Sequence, residues 1–388
     1  MEMLISAPQQ GPRLIVDGLA LQANWRTVAA ACPAGSVGAV LKHDAYGLGL
    51  GLVAPALWHL GCRDFWVASL EEALALRQAL GPAALQTPLP QPLRIGVLNG
   101  LCGHAVADFA AHGLMPALTG LHEVAAVAAW QGAPLPLAVH LDTGLTRVGL
   151  GAAELDGLAP GSALWQHARP ELWLTHLGRF HDPEAEQCLE QRRRFEAWTA
   201  RLPAARRSIA TSSSVFAGSA WHFDHVRVGS ALWGVPTSVR ATAALQPVAC
   251  LQAPVLRVAE VPAGTEIGYA GGYTTERACR IATIGMGYGD GLPFGLINRG
   301  HMVLAGRRAP IVGGVAMGMV GLDVSAYAPD EIRPGMWAEV YGAQQPLAEL
   351  AAAAGLPPNV LLTLSARLAV QRQLTPPPLP ASPPEPRP

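Results

Sequence analysis

The apolar run VGAVL ends in Lys42, and Tyr46 and Gly47 follow four residues later within VGAVLKHDAYGLGLG. A lysine at the C-terminal end of a strand in a parallel β/α fold would sit at the mouth, where strand ends carry active sites. Burial there lowers an amine's pKa, and such an amine can form a Schiff base with a carbonyl cofactor. On position alone, a lysine snorkelling from a strand end is the commoner case. Other side chains with chemical potential stand at similar places: His176 closes ELWLTH, Arg227 lies in HVRVG, Arg147 in TGLTRVG and Tyr269 in GYAG. Taken singly, each has a plainer reading, as a satisfied histidine, a salt-bridged arginine or a packed tyrosine.

The elements that must position these residues alternate. From about Leu14 to Gly234, short β-like runs such as DFWVAS (64–69), LRIGVLN (93–99), LAVHLD (137–142) and ELWLTH (171–176) are separated by helical stretches. The helices are LEEALALRQAL (70–80), LHEVAAVAAW (121–130) and the run from 184 to 202. Repeated βα units imply a parallel sheet, and their number favours a closed (β/α)8 barrel of the TIM type over an open sheet. No GxGxxG follows the first strand. After Gly234 the text becomes rich in Val, Gly, Thr and Pro in short runs, which predicts a mainly antiparallel β domain with one helix at 347–355. The expected organisation is a barrel at 12–237, a β domain at 238–373 to which residues 1–11 could add a strand, and a Pro-rich disordered tail at 374–388.

Composition narrows the function. The chain has 388 residues, half of them hydrophobic, 14% charged, and a net charge of −1. That is ample material for a core and leaves no basic surface for nucleic acid. Six scattered cysteines without a CxxC pair point to reduced thiols, with neither a disulfide framework nor a metal site. The opening MEMLISAPQQGPR has no secretory pattern and no run approaches a membrane span, so a cytoplasmic enzyme is expected.

The lysine segment resembles the pyridoxal-lysine motif AVxKAxAYGHG of the alanine racemase family, with Leu48 in place of the histidine. The resemblance continues in order through GCRDFWVASLEEALALR (61–77), HLDTGLTRVGL (140–150), THLGRFHDPE, SIATSSS, FDHVRVGSALWG, GTEIGYAGGY, the GYGDG around Tyr288, and PIVGGVAMGM. It covers nearly the whole chain, from about Leu14 to Arg372.

The resemblance implies a pyridoxal 5'-phosphate enzyme that interconverts L- and D-alanine, supplies D-alanine to the cell wall, and acts as a homodimer with shared active sites. Two groups on opposite faces of Cα must then exchange its proton. The resemblance assigns these to Lys42, which also holds the cofactor, and to Tyr269 of the partner subunit. It assigns Arg227 to the cofactor's ring nitrogen and His176 to packing against the ring. Tyr46, Ser212, Gly229, Ser230 and Tyr288 fall to the phosphate, and Arg147 and Met317 to the substrate carboxylate and the cofactor's phenolic oxygen. The pattern is weakest at His140, where many members carry a lysine, and at Phe294, Gly318 and Pro358. Those departures leave the preferred side chain open and keep a racemase of another amino acid, or a weakly active cofactor-bound relative, in view. A barrel decarboxylase with the same cofactor would carry a Cys-Asp pair, and neither Cys250 nor Cys279 is followed by Asp. A single-barrel cofactor carrier would lack the β domain.

Overall fold

The computed structural model describes residues 11–86, 92–156, 158, 162–179, 181–237, 245–269, 272–369 and 371–375. Leu21–Ala45 and Leu50–Gln246 belong to one compact unit, and the first strand together with the chain from Pro247 belongs to another. Strand β1 (Arg13–Asp17) is the first element among the described residues and pairs in the second unit.

The first unit is a nearly closed parallel barrel. Its strands are β2 (Ser36–Val40), β3 (Asp64–Val67), β4 (Arg94–Val97), β5 (Met115–Leu118), β6 (Ala138–His140), β7 (Leu172–Leu174), β8 (Arg206–Ser208) and β9 (His225–Val228). They pair in chain order, and β9 returns to β2 with Gly38 opposite Arg227. Between β8 and β9 the seam is carried by a single bridge, Thr211 to Arg227. Parallel neighbours need crossovers, and helices such as Leu50–His59, Leu70–Gln86 and Glu186–Thr199 supply them. Side chains alternate along a strand, so His225 and Arg227 share one face of β9. The Trp66 indole donates to His225 Nε2 at 2.9 Å, and Ser36 Oγ meets His225 Nδ1 at 2.7 Å. Gly38 and Gly96 make room for this indole: a Cβ on Gly96 would come within 2.3 Å of it.

The second unit is a mainly antiparallel sheet. Strands β10 (Ala249–Val261), β11 (Cys279–Ile284), β12 (His301–Leu304), β13 (Arg307–Val312), β14 (Val320–Asp323) and β15 (Trp337–Tyr341) close on one another. The closure works because the long β10 pairs with β15 through its first half and with β11 through its second. β1 adds to β10, and β16 (Gln371–Thr375) adds to β1 in parallel. Two expectations change here. β1, read as the opening of the barrel, is a strand of this sheet, because its alternating half-buried pattern finds hydrogen-bonding edges on both sides there. Leu374 and Thr375, read as the start of a disordered tail, belong to β16. The remaining tail and residues 1–10 lie outside the described residues.

Candidate active site

The C-terminal ends of the barrel strands gather Lys42, His140, Arg147, His176, Ser212, Arg227, Gly229 and Ser230. Lys42 follows β2, and the chain turns there in an unusual way. His43, Asp44, Ala45 and Tyr46 all have φ between +54° and +58°, a left-handed conformation that costs a non-glycine residue roughly 1–2 kcal/mol. Such strain persists only where surrounding contacts impose it. Glu72 is one such contact, since its carboxylate accepts the His43 N–H at 2.7 Å and the Ala68 N–H at 2.8 Å. Asp44 accepts the Leu50 N–H at 2.7 Å and so caps the next helix.

The loop after β6 is shaped by DTGLTRVG. Asp142 Oδ1 accepts N–H groups from Gly144, Leu145 and Thr146 at 2.9–3.1 Å, which folds the turn that carries Arg147. Gly149, at φ +117°, lets the chain return against β6, where a Cβ would meet His140 O at 2.9 Å. Arg227 lies buried on β9. Its Nε donates to Ser208 Oγ at 3.0 Å and its Nη2 to the carbonyl of Thr175. Among the described residues these neutral groups, and no carboxylate, are its hydrogen-bond partners. Ser212 Oγ accepts the N–H groups of Gly229 and Ala231 at 3.0 and 3.2 Å. The Gly229 N–H is thereby engaged, and the Ser212 hydroxyl proton is left to donate.

Positive charge accumulates at this end of the barrel. Burial first, then Arg147 and Arg227, hold the Lys42 ammonium below its ordinary pKa, while Glu72 acts the other way. Burial and then Arg147 bring Arg227 down to about 9, so it stays protonated at neutral pH. Burial, then Arg227, Arg147 and Lys42, push His176 down to about 3. Burial with the two arginines and His176 keeps His140 well below the usual histidine value. Both rings are neutral at pH 7. Three cationic groups with few counter-charges form a site suited to a ligand bearing several negative charges.

The remaining expected residues are carried by the β domain. Tyr269 is 78% exposed, at the tip of a hairpin in which Ile267 N–H donates to Tyr273 O at 2.8 Å. Ile267 and Tyr273 pack on Cys279, Ile281 and Val312. Gly268, at φ +79°, lies so close to Gly314 that a Cβ would approach its nitrogen within 2.7 Å. Tyr288 and Met317 are also exposed, on adjoining loops joined by Tyr288 N–H to Ala316 O (2.9 Å) and Gly289 N–H to Met317 O (2.7 Å). Phe294 meets the Tyr288 ring edge-on at 6.3 Å between centroids. Tyr46 ends the left-handed turn and is half-buried.

Sequence reading missed Glu72, Thr143, Thr175, Gln191 and Ser208. Thr143, Thr175 and Ser208 lie inside quoted motifs and could have been found as hydroxyls beside strand-end cations. Glu72 also lies inside a quoted motif (61–77), but there, as at Gln191, a polar residue on a helix gives no local sign of facing inward.

Two family descriptions match this chain in sequence order: "Alanine racemase, N-terminal domain" over residues 16–237 and "Alanine racemase, C-terminal domain" over 248–373. An alanine racemase of Acidiphilium cryptum is 40% identical over 349 residues, covering 89% of this chain and 93% of that protein. One from Brucella canis is 34% identical over 369 residues, 91% of each. Among solved structures, alanine racemase from Bartonella henselae with covalently bound pyridoxal phosphate has a TM-score of 0.85 and 32% identity, over 94% of this chain and 99% of that one. The biosynthetic alanine racemase of Pseudomonas aeruginosa has a TM-score of 0.82 and 30% identity, over 95% and 100%.

Proposed function

The chain belongs to the alanine racemase family, and from that premise we propose that it is a pyridoxal 5'-phosphate-dependent racemase of alanine. The observation that carries the reading is a strand-end lysine with a depressed pKa, set beside a buried arginine that has no carboxylate among its hydrogen-bond partners. An isolated buried guanidinium is costly. Two of its N–H groups are held by Ser208 and Thr175, which leaves others to donate to an acceptor such as a pyridine nitrogen. The cofactor supplies an electron-withdrawing ring that makes the α-proton of a bound amino acid removable.

We assign the protein's share of the work as follows. Lys42 holds the cofactor and exchanges the proton on one face of Cα, while Tyr269 of the partner subunit does so on the other. Arg227, being protonated, donates to the ring nitrogen and keeps it free of a proton of its own, which limits charge withdrawal and favours return of the proton. His176, neutral at working pH, packs on the ring without adding charge. Ser212, through its hydroxyl proton, serves the phosphate with Tyr46, Tyr288 and Ser230, while the Gly229 N–H, held by Ser212 Oγ, orients that hydroxyl. Arg147 and Met317 address the substrate carboxylate and the phenolic oxygen. This reading makes the protein a homodimer with shared sites. Family membership supports a cytoplasmic enzyme whose product feeds cell-wall synthesis.

Borohydride treatment of the loaded enzyme should attach the cofactor irreversibly to the peptide containing Lys42, as read by mass spectrometry. Chiral chromatography after incubation with each L-amino acid should give D-alanine fastest. Lys42 is the one lysine of the sequence, so recovery of the cofactor on the N-terminal amine or on no peptide would overturn the Lys42 assignment. A faster product other than D-alanine would overturn the substrate.

A further inference from the structure

A buried polar chain runs behind the site, and its centre is Gln191 on the helix Glu186–Thr199. Gln191 is 1% exposed, Thr143 and Ser208 are fully buried, and Thr175 is 1% exposed. The Gln191 amide is held by three partners. Its Nε2 donates to the carbonyl of His176 at 2.9 Å and to Thr143 Oγ1 at 3.3 Å, and its Oε1 accepts the Gly178 N–H at 2.8 Å. Those partners fix the amide's orientation, since a carbonyl must face nitrogen and an N–H must face oxygen. Thr143 Oγ1 meets Thr175 Oγ1 at 2.9 Å, and the Thr175 carbonyl accepts from Arg227. Arg194, on the same helix, donates to the Thr143 carbonyl at 3.3 Å.

We propose that Gln191 is a positioning residue that holds the Arg147-bearing turn and the His176 segment in one fixed relation. Thr143 sits between Asp142, the organiser of the Arg147 turn, and the rest of that turn. Through Thr143, Gln191 sets the turn that presents the arginine assigned to the substrate carboxylate. Through the His176 carbonyl and the Gly178 N–H, it sets the segment assigned to the cofactor ring. One side chain thus fixes two parts of the site, and the barrel strands alone do not, because both segments lie beyond the strand ends. The proposal rests on the racemase reading for the roles of Arg147 and His176. It adds a residue that touches neither substrate nor cofactor.

Gln191→Met keeps the volume and removes all three hydrogen bonds, whereas Thr143→Val removes only the branch toward the Arg147 turn and Thr175. Gln191→Met should raise the KM for alanine about tenfold and weaken the affinity of the cofactor-free chain for pyridoxal phosphate by a similar factor, with kcat changed less. Thr143→Val should raise the KM with cofactor affinity kept. The double variant should raise KM by less than the product of the two single effects, because both act through one bond. Cofactor affinity is read by absorbance titration, independently of turnover. A lowered Tm in Gln191→Met with wild-type KM and cofactor affinity would overturn the proposal, as would multiplicative KM effects. If Gln191→Met does not fold, Thr143→Val decides: an unchanged KM overturns it. Failure of the wild-type chain to racemise alanine would strike the underlying reading instead, and that is measured first.

Discussion

Lys42 and Tyr269 have opposite surroundings, the lysine sunk among cations at a barrel end and the tyrosine 78% exposed on a hairpin. Tyr269→Phe should therefore act on one face of the substrate only. Deuterium uptake from solvent into one enantiomer should fall about 100-fold or more, with exchange through Lys42 retained; NMR on each enantiomer reads it. Three histidines make a second prediction. His140, His176 and His225 are all held below the ordinary histidine pKa, with burial as the leading cause. A depressed histidine pKa means that the unfolded chain binds protons which the folded chain refuses. Stability is thus full above about pH 6.5 and falls as pH drops from there toward the folded values, about 3 for His176. In that window each such ring contributes a slope of up to about 1.4 kcal/mol per pH unit. Urea titrations at successive pH values should show it, and His225→Gln should flatten the slope.

At the level of elements, the left-handed turn after Lys42 depends on Glu72, whose two backbone N–H bonds join it to the end of β3. Glu72→Ala should cost roughly 2 kcal/mol in urea unfolding, in line with bonds to a charged acceptor. It should also weaken cofactor retention on gel filtration, because the turn that follows Lys42 is released. What could be read from sequence followed the same divide. Lys42, Arg147, His176 and Arg227 stand at apolar strand ends or inside ordered motifs, so periodicity and resemblance both reach them. Strands β5 and β8 read as MPAL and RRS, too short and too poor in β-branched residues to announce themselves. Glu72 and Gln191 sit on helices where a polar residue ordinarily faces water. Only the folded chain turns them inward. β1 was misassigned for a related reason: five residues of alternating burial identify a strand, but not the sheet that it joins.

For the whole molecule, the shared-site dimer gives a complementation test. Lys42→Ala and Tyr269→Phe proteins should each racemise poorly. Mixed and allowed to exchange subunits, they should recover about a quarter of wild-type activity, since half the dimers are mixed and each holds one intact site. No recovery after verified exchange would mean that each site draws both residues from one subunit. A different consequence follows from β1. It lies between β10 and β16, and Arg13 Nε reaches Gln252 Oε1 at 2.9 Å. Apart from β9, which closes on β2, the barrel strands pair with neighbours next in the chain, so they can begin to associate as they leave the ribosome. β1 emerges first and finds neither neighbour made, and its second edge stays bare until Gln371–Thr375 has been synthesised. Among the described residues, the earliest strand is thus completed only by the latest one.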